Sequence, residues 1–450
     1  MSVLMKSVSG IRGIIGETLT PELIVSVAAS FAKYSKYGTI VVGRDSRPTG
    51  ELVSNVLIST LSMCGCNVID LGIVPTPTVQ IMVENLQANG GIVISASHNP
   101  IEWNAFKLIT NKGTFLNANE VKIFFSYLEK AKQYKKWDKI GKISQLDAQG
   151  IHIQKVIDTI NKKKIKKKKY KVALDSVNGA GSLITQKLLH QLNCKVYPIY
   201  CELSGIFPRV AEPLPEHLGD LSKQVVFSGA DIGFAQDPDA DRLAIVDERG
   251  NPIGEENTIA LVSEHLLSKE KGRVVINLST TKAVSDIAES HGVKCTRTKV
   301  GEINVVDDMR KKGARIGGEG NGGVISPEVH LGRDSLVGIG YILEMMAERD
   351  KSISELVSEL PQYVMKKGKV ALNKKKPDSI IKRFLKKYQS ESTSTIDGLR
   401  IDFVKHPEFS GGWVHLRSSN TEPIFRIIAE GKTEKQCKAI YKTFEKEFKK

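Results

Sequence analysis

The sequence predicts an α/β protein with three related domains, each built on a mixed or parallel sheet, followed by a C-terminal α+β domain. The 450 residues are too many for one hydrophobic core. Short β-branched apolar runs alternate with segments of helical periodicity, which is typical of βαβ units. This alternation recurs three times, at intervals of roughly 80 to 140 residues, before a different pattern begins.

The first unit ends in a polar loop. Its predicted strands and helices are strands 39–42, 67–70 and 92–94 and helices 52–63 and 78–86. Ser95 to Pro100 follow the last strand, and Pro100 prevents that strand from continuing. Open α/β sheets place their chemistry at this carboxyl end, so Ser97 is a candidate nucleophile or phosphoryl carrier. The alternative is a polar turn between a strand and a helix.

The second and third units repeat the order of the first. The second has predicted strands 171–174, 195–199 and 231–235 and helices 180–192 and 218–227. The third has predicted strands 273–277, 294–298 and 314–316 and helices 281–291 and 304–312. We therefore expect three copies of one architecture.

The C-terminal segment has a different pattern. Its predicted elements are a helix at 378–388, a Ser/Thr-rich turn at 390–395 and strands 399–404, 413–417 and 424–429. A final helix begins at Thr433, which forms a capping-box sequence with Gln436 and precedes an apolar helical face. The predicted domains are 1–155, 156–256, 257–367 and 368–450.

Composition excludes several classes of protein. Hydrophobic residues make up 41% and aromatic residues 6%, and no apolar run is long enough to span a membrane. The N-terminus lacks the apolar segment of a signal peptide. The six cysteines are scattered without the spacing of a zinc or redox motif, so we expect a cytoplasmic protein with reduced thiols.

The formal net charge of +15 is partly concentrated in a lysine-rich run at 162–169. We expect that run to be a solvated linker or helix end at a domain junction. A nucleic-acid partner is not expected, because the lysines lack interleaved aromatic residues and no zinc or helix-turn-helix pattern is present. A positive field also suits a small anionic substrate.

Three carboxylates stand at alternate positions in the loop after the second unit. Asp237, Asp239 and Asp241 supply the hard oxygen ligands that Mg²⁺ requires. The glycine and distal glutamate of an EF-hand are missing. An acidic surface turn is the alternative, although adjacent carboxylates repel one another without a cation. Arg242 could offset part of that charge or hold a phosphate oxygen.

Two further loops carry candidate ligand-binding groups. The glycine-rich run 317–323 permits close backbone approach to a ligand, with Glu319 suited to sugar hydroxyls and Asn321 beside it. A plain connection from strand to helix is the alternative. The run 417–423, with Arg426 beyond it, offers donors that suit a phosphate. The runs 9–13 and 43–47 add candidate arginines in glycine-flanked loops, with ordinary surface arginines as the alternative.

Taken together, these motifs resemble the α-D-phosphohexomutase superfamily, most closely its phosphoglucosamine mutases. Ser-Ala-Ser-His-Asn-Pro is similar to the family's phosphoserine loop, and Asp-Pro-Asp-Ala-Asp-Arg to its metal loop. Gly-Glu-Gly-Asn-Gly-Gly resembles its sugar loop and Arg-Ser-Ser-Asn-Thr-Glu-Pro its phosphate loop. The sugar loop departs from the common Glu-x-Ser-Gly-His, so we expect His330 or Arg333 to act nearby. The resemblance covers nearly the whole chain and implies four domains around a central cleft.

The resemblance also implies a role for each candidate residue. The implied catalytic residues are Ser97, His98, Lys107 and Arg12; the implied metal ligands are Ser97, Asp237, Asp239 and Asp241; and the implied substrate-binding residues are Arg242, Glu319, Asn321, Arg417, Ser419, Asn420, Thr421 and Arg426.

The implied activity is interconversion of glucosamine 6-phosphate and 1-phosphate through phosphorylated Ser97 and a bound 1,6-bisphosphate. One Mg²⁺ per site and hexose 1,6-bisphosphate as activator are the implied cofactors. A phosphomannomutase/phosphoglucomutase with the same machinery is the first alternative, and a metal-dependent phosphatase is a more distant one. We expect a monomer or homodimer whose partner is a small sugar phosphate.

Overall fold

The structure, a computed structural model, describes residues 4–130, 132–371, 377–418 and 424–449. These residues form four sheets, of which three are mixed and the C-terminal one is antiparallel. The predicted fold class, three related α/β domains and a C-terminal α+β domain, is confirmed. No helix of the described residues combines the length and apolar character needed to cross a membrane.

The first sheet is the largest and has the order β1-β2-β6-β5-β3-β4-β7. Its strands are β1 (Met5–Ser7), β2 (Gly10–Ile14), β3 (Ile40–Arg44), β4 (Val68–Ile73), β5 (Gly90–Ile94), β6 (Trp103–Thr110) and β7 (Ile143–Gln145). The helices around it are α1 (Pro21–Tyr34), α2 (Gly50–Met63), α3 (Thr76–Asn85) and α4 (Ala118–Leu128). The next helix, α5 (Gln149–Asp158), leads into the second unit and contributes Ile153 and Val156 to its core.

The second and third sheets each have four strands. The second unit contains α6 (Lys162–Lys168), β8 (Lys171–Asp175), α7 (Gly181–Gln191), β9 (Lys195–Ile199), α8 (Gly219–Ser228), β10 (Ile232–Gln236) and β11 (Leu243–Val246). The third contains α9 (Glu256–Lys269), β12 (Arg273–Asn277), α10 (Ala283–Ser290), β13 (Cys295–Thr298), α11 (Glu302–Lys312), β14 (Ala314–Glu319), β15 (Gly323–Ile325), α12 (Ser335–Arg349) and α13 (Ile353–Ser358).

One strand order is common to these three sheets: β4-β3-β5-β6, β9-β8-β10-β11 and β13-β12-β14-β15. The first three strands of each set are parallel and the fourth is antiparallel. The third and fourth strands are joined by the serine loop (residues 95–102), the aspartate loop (237–242) and the glycine loop (320–322). The serine and glycine loops therefore lead into an antiparallel strand, so the alternative of a connection to a helix is wrong.

Packing joins the second and third units around one core. Helix α12 is buried on nearly every face. Its Leu343 belongs to a hydrophobic cluster that also contains Leu174 of β8 and Ile276 of β12. A helix that is apolar all round must be enclosed by its neighbours, so α12 lies between the two units as part of both.

The lysine-rich run is a helix rather than a linker, so the expectation of a solvated linker is wrong. Asn161 caps the first turn of α6 by accepting a hydrogen bond from the Lys164 amide (3.2 Å). Ile165 is fully buried, and α6 packs against α12. Ion pairs with acidic residues at the end of α12 hold Lys164 and Lys168. One apolar residue therefore anchors this highly charged segment.

The C-terminal sheet has the order β16-β20-β19-β18-β17. Its elements are β16 (Val364–Ala371), α14 (Pro377–Lys387), β17 (Ser392–Ser394), β18 (Leu399–Asp402), β19 (Trp413–Ser418), β20 (Ile424–Gly431) and α15 (Glu434–Lys449). The segment expected as a turn at 390–395 contains the edge strand β17, which corrects that expectation. Helices α14 and α15 share a core with one face of the sheet, and the other face lies towards the third unit.

Candidate active site

The serine loop presents Ser97 in a constrained backbone conformation. Ser97 has φ of 50°, a value that residues other than glycine rarely adopt, and its side chain is buried. Its amide donates to Ser95 Oγ (2.9 Å), and Ser95 in turn donates to Asp45 (2.6 Å). Arg47 is fully buried and donates to the carbonyls of Ser97 (2.6 Å) and Asn99 (2.7 Å). These contacts hold the strained loop in place.

The aspartate loop meets the serine loop. Ser97 Oγ donates to Asp237 Oδ2 (2.8 Å), although the two residues are 140 positions apart in the chain. The other oxygen of Asp237 accepts from the amides of Asp241 and Arg242 (3.2 Å each). Carboxylate oxygens of Asp237, Asp239 and Asp241 lie within 4.8 Å of one another, and all three residues are fully buried.

The donor set of this loop fits a divalent cation. Oδ1 of Asp239 and Oδ1 of Asp241 are buried and have no hydrogen-bond partner. An unpartnered buried carboxylate oxygen is costly, and hard oxygen ligands are those that Mg²⁺ prefers. Burial, together with Asp241 and Asp239, raises the pKa of Asp237 well above its usual value. A cation bound among these oxygens would remove that repulsion.

Lys107 offsets part of the negative charge. Its ammonium pairs with Asp239 and, at 3.2 Å, with Asp241. Burial opposes the charge of Lys107, but the two aspartates outweigh it and raise its pKa. Burial also opposes ionisation of Asp241, but Arg333, Lys107 and Arg242 outweigh it and hold the pKa of that carboxyl well below its usual value.

His98, Arg12 and Arg242 surround the same centre. Nδ1 of His98 lies 3.4 Å from Ser97 Oγ. Burial, assisted by Arg242 and Arg12, lowers the pKa of His98 well below its usual value, so the imidazole is neutral at neutral pH. Arg12 donates to Asn99 of the serine loop (2.9 Å), and Arg242 donates to Glu212 (2.7 Å).

The glycine loop is tied to the aspartate loop by Arg333. Its guanidinium donates to Asp241 (2.7 Å), to Glu319 (2.9 Å) and to Glu302 (3.0 Å). Glu319 also accepts from Asn277 (2.8 Å) and the Gly301 amide (2.9 Å). The charges of Asp241, Glu319 and Glu302 overcome burial and raise the pKa of Arg333 well above its usual value.

Gly323 leaves the space through which Arg333 passes. A Cβ atom at Gly323 would lie 2.3 Å from Cδ of Arg333. Asn321, in the same loop, donates to Glu319 (3.4 Å) and accepts from the Gly323 amide (3.2 Å). The glycine at this position and the arginine ten residues later are therefore sterically linked.

A row of cations crosses the C-terminal sheet on the face towards the third unit. Lys369 of β16 stands opposite Arg426 of β20, which stands opposite Arg417 of β19. We call these three residues the cation row. Directly opposed like charges destabilise a sheet unless an anion lies between them. Ser419, Asn420 and Thr421 lie outside the described residues.

The chain is similar to known proteins over most of its length. Residues 4–135, 151–250 and 255–364 match the phosphoglucomutase/phosphomannomutase α/β/α domains I, II and III, respectively. A Thermococcus kodakarensis chain named "Phosphoglucomutase/phosphomannomutase" is 38% identical, with 95% of each chain covered. The chain belongs to the phosphoglucomutase/phosphomannomutase family. It is a phosphohexomutase, an isomerase of hexose phosphates.

Two further relatives support the assignment. A Methanopyrus kandleri chain named "Probable phosphoglucosamine mutase" is 31% identical over 97% of this chain and 96% of its own. The crystal structure of a phosphoglucomutase/phosphomannomutase family protein from Burkholderia thailandensis is 26% identical, with a TM-score of 0.84, and covers 99% of this chain and 98% of its own.

The candidate site also contains residues whose positions local sequence patterns did not determine. Surface exposure was the alternative for Arg47, and it is wrong, because Arg47 is fully buried beneath the serine loop. Glu302, at the start of α11, binds Arg333 and Gln80, and burial raises its pKa to about 7. Each of these contacts joins residues from different elements of the fold. The sequence contained one local signal of them, the glycine at position 323 where the family's common sugar-loop motif has histidine.

Proposed function

We propose that this phosphohexomutase interconverts glucosamine 6-phosphate and glucosamine 1-phosphate through a phosphorylated Ser97. The observation that carries the proposal is the contact between Ser97 Oγ and the aspartate loop (2.8 Å to Asp237). A buried hydroxyl beside three carboxylates is useful in phosphoryl transfer only when a cation balances the charge. The unpartnered oxygens of Asp239 and Asp241 are available to such a cation.

In the proposed reaction, a sugar hydroxyl attacks the phosphorus on Ser97 while the bond to Ser97 Oγ breaks, and the proton of that hydroxyl passes to Ser97 Oγ. The product is a bound hexose 1,6-bisphosphate. After this intermediate reverses its orientation, Ser97 Oγ attacks its other phosphate, the bond from that phosphorus to the second sugar oxygen breaks, and the Ser97 proton passes to the departing sugar oxygen. Two groups beside Ser97 Oγ can relay the proton in both steps, Nδ1 of neutral His98 and Oδ2 of Asp237.

Ser97, Asp237, Asp239 and Asp241 would hold one Mg²⁺, which neutralises charge on the transferring phosphoryl group when bound. Lys107 keeps its proton because of its raised pKa, so we assign it an electrostatic role rather than that of a base.

Glu319 and Asn321 would orient the sugar. Arg417 and Arg426, with Ser419 to Thr421, would bind the distal phosphate, whose binding energy positions the reacting hydroxyl.

A phosphomannomutase/phosphoglucomutase is the second candidate. It is favoured by the name of the 38% identical Thermococcus relative. The difference lies at C2 of the sugar, where one substrate carries an amine and the other a hydroxyl. Both candidates use the same residues for phosphoryl transfer.

The test is a mutase assay with Mg²⁺ and a trace of hexose 1,6-bisphosphate. Glucosamine 1-, glucose 1- and mannose 1-phosphate are compared by kcat/KM, with Ser97→Ala and metal chelation as controls. We expect a preference for the amino sugar and loss of turnover in both controls. Preference for glucose or mannose selects the second candidate. Undiminished turnover by Ser97→Ala excludes the phosphoserine mechanism, and phosphate release without mutase turnover indicates a phosphatase.

A further inference from the structure

Lys367 connects the C-terminal sheet to the glycine loop. Its ammonium donates to the Gly320 carbonyl (3.0 Å) and to Glu255 (2.8 Å), and it lies 2.8 Å from a carboxylate oxygen of Glu256. Among the described residues, this is the one hydrogen bond from the C-terminal sheet to that loop. It is therefore a direct connection between two parts of the site that lie far apart in the chain.

The backbone of β16 places Lys367 on the same face as the cation row. Lys366 lies over the ring of Tyr441 (4.5 Å to the centroid), and a Cβ at Gly368 would contact the same ring. Residues 366 and 368 therefore face α15. Because side chains alternate along a strand, Lys367 and Lys369 face the third unit together. They are two residues apart, about 7 Å along the strand.

The glycine loop is also held on the side away from Lys367, by residues near the start of α9 and after β12. Glu256 accepts from the Thr281 amide (2.9 Å), and the Gly320 amide donates to Thr280 Oγ1 (3.1 Å). A Cβ at Gly320 would lie 1.9 Å from Glu256 Oε2, so a larger residue there would displace the Glu256 carboxylate. The loop backbone is thus held between α9 and β16.

We propose that Lys367 is a positioning residue that sets the distance between the glycine loop and the cation row. This rests on the proposed function, in which the glycine loop orients the sugar and the cation row binds its distal phosphate. A hexose phosphate bridges the two sites, whereas inorganic phosphate engages only the cation row. Lys367 therefore affects binding of the bridging ligand and leaves binding of the small one unchanged.

The domains stay joined without this lysine. Glu430 accepts from the Lys282 amide (2.8 Å), His415 contacts Ser279 Oγ (2.9 Å) and Asp397 accepts from the Val300 amide (3.0 Å). The Lys367 side chain is itself 39% exposed. A variant at this position should consequently fold, and its effect should be confined to the loop.

The experiment measures dissociation constants by calorimetry on the full chain in EDTA, where no turnover occurs. The ligands are hexose 6-phosphate and inorganic phosphate. In Lys367→Met we expect the Kd for hexose 6-phosphate to rise at least 10-fold while that for inorganic phosphate changes less than 2-fold. Lys367→Arg should recover part of the lost affinity. Lys366→Met, on the opposite face of the same strand, should match the parent.

An equal loss of affinity for both ligands would overturn the proposal, because Lys367 would then belong to the phosphate site. No loss for either ligand would also overturn it. So would a Lys367→Arg variant with no recovery, since charge and reach would then be irrelevant. If the proposed function is wrong, the parent protein will show no mutase turnover. That result is measured separately from these dissociation constants, so the two failures can be told apart.

Discussion

Arg333 binds three carboxylates that come from three different elements. Asp241 lies in the aspartate loop, Glu319 ends β14 and Glu302 begins α11. A guanidinium presents its donors in a fixed planar arrangement, which lysine cannot reproduce. Removing one partner from a buried ionic cluster leaves uncompensated charge, and the cost is larger than the value of the original pairs.

We expect Arg333→Met to lower the free energy of unfolding by about 3–5 kcal/mol and to reduce kcat, because three carboxylates of the site lose their cationic partner. Gly323→Ala should cost about 1–3 kcal/mol, because its Cβ displaces the arginine. Urea unfolding and mutase assays measure both effects. The control is Gly150→Ala in α5, where a Cβ meets nothing within 4 Å. A Gly323→Ala variant as stable and active as the parent would contradict the steric link.

Ser97 and the three aspartates could be identified as candidate site residues from sequence because each belongs to a short local motif. Their specific contacts with Arg47 and Arg333 could not, although both arginines were noted in the sequence. Arg47 lies 50 residues from Ser97, and Arg333 lies 92 residues from Asp241. Such contacts depend on how separate units pack, and a sequence pattern of a few residues contains no information about that packing.

Helix α6 shows that a single apolar residue can decide the structure of a charged segment. Six lysines in seven residues repel one another, yet Ile165 is fully buried among its neighbours. Its burial compensates for like charges that are unfavourable at helical spacing.

Ile165→Ala should lower the free energy of unfolding by about 2–4 kcal/mol. Lys166→Ala, in the next position, should change it by less than about 0.5 kcal/mol. Thermal and urea denaturation of the two variants provide the comparison. Equal effects would mean that the helix contributes nothing to the core.

The start of α9 predicts a dependence of stability on pH. Burial raises the pKa of Glu256 from its usual value to about 7, despite the opposing effect of Lys367. A raised folded-state pKa gives stability that is present below about pH 4.5 and is lost as the pH rises through 7.

Relative to the parent, Glu256→Gln should therefore gain stability between pH 5 and pH 8, by up to about 3 kcal/mol. Denaturant unfolding of both proteins across this range measures the difference. A difference that stays constant with pH would show that Glu256 titrates alike in the folded and unfolded states.

Sequence periodicity predicted two helices and three parallel strands in each of the three units, but not their fourth strands. Helices α1, α4, α5 and α9 and the parallel edge strand β7 were not predicted either. Strands β11 and β15 have only four and three residues, too few to show an alternating pattern. Helix α12 was also missed. It is apolar on nearly every face because two units enclose it, so it lacks the one-sided periodicity by which surface helices are recognised.

At the scale of the whole molecule, the number of hydrophobic cores does not match the number of sheets, because one core can serve two sheets. The second and third units share a cluster through α12, whereas the C-terminal sheet has a cluster of its own with α14 and α15. Cooperative units follow shared packing.

We expect Leu343→Ala in α12 to increase hydrogen exchange in both the second and third sheets. Leu416→Ala in β19 should increase it in the C-terminal sheet alone. Both side chains are fully buried, so each change should cost about 2–5 kcal/mol. Exchange measured by mass spectrometry separates the sheets, and protection lost in only one sheet of the first pair would contradict a common cooperative unit.

The serine, aspartate and glycine loops occupy the same place in three sheets of the same strand order. Such equivalence suggests descent from one ancestral segment copied within a gene, after which each copy acquired a separate task. Because every loop is anchored between two paired strands, its side chains could change while its ends stayed fixed. The three loops would then have come to differ through amino-acid substitutions alone, while the strand order of the sheets stayed the same.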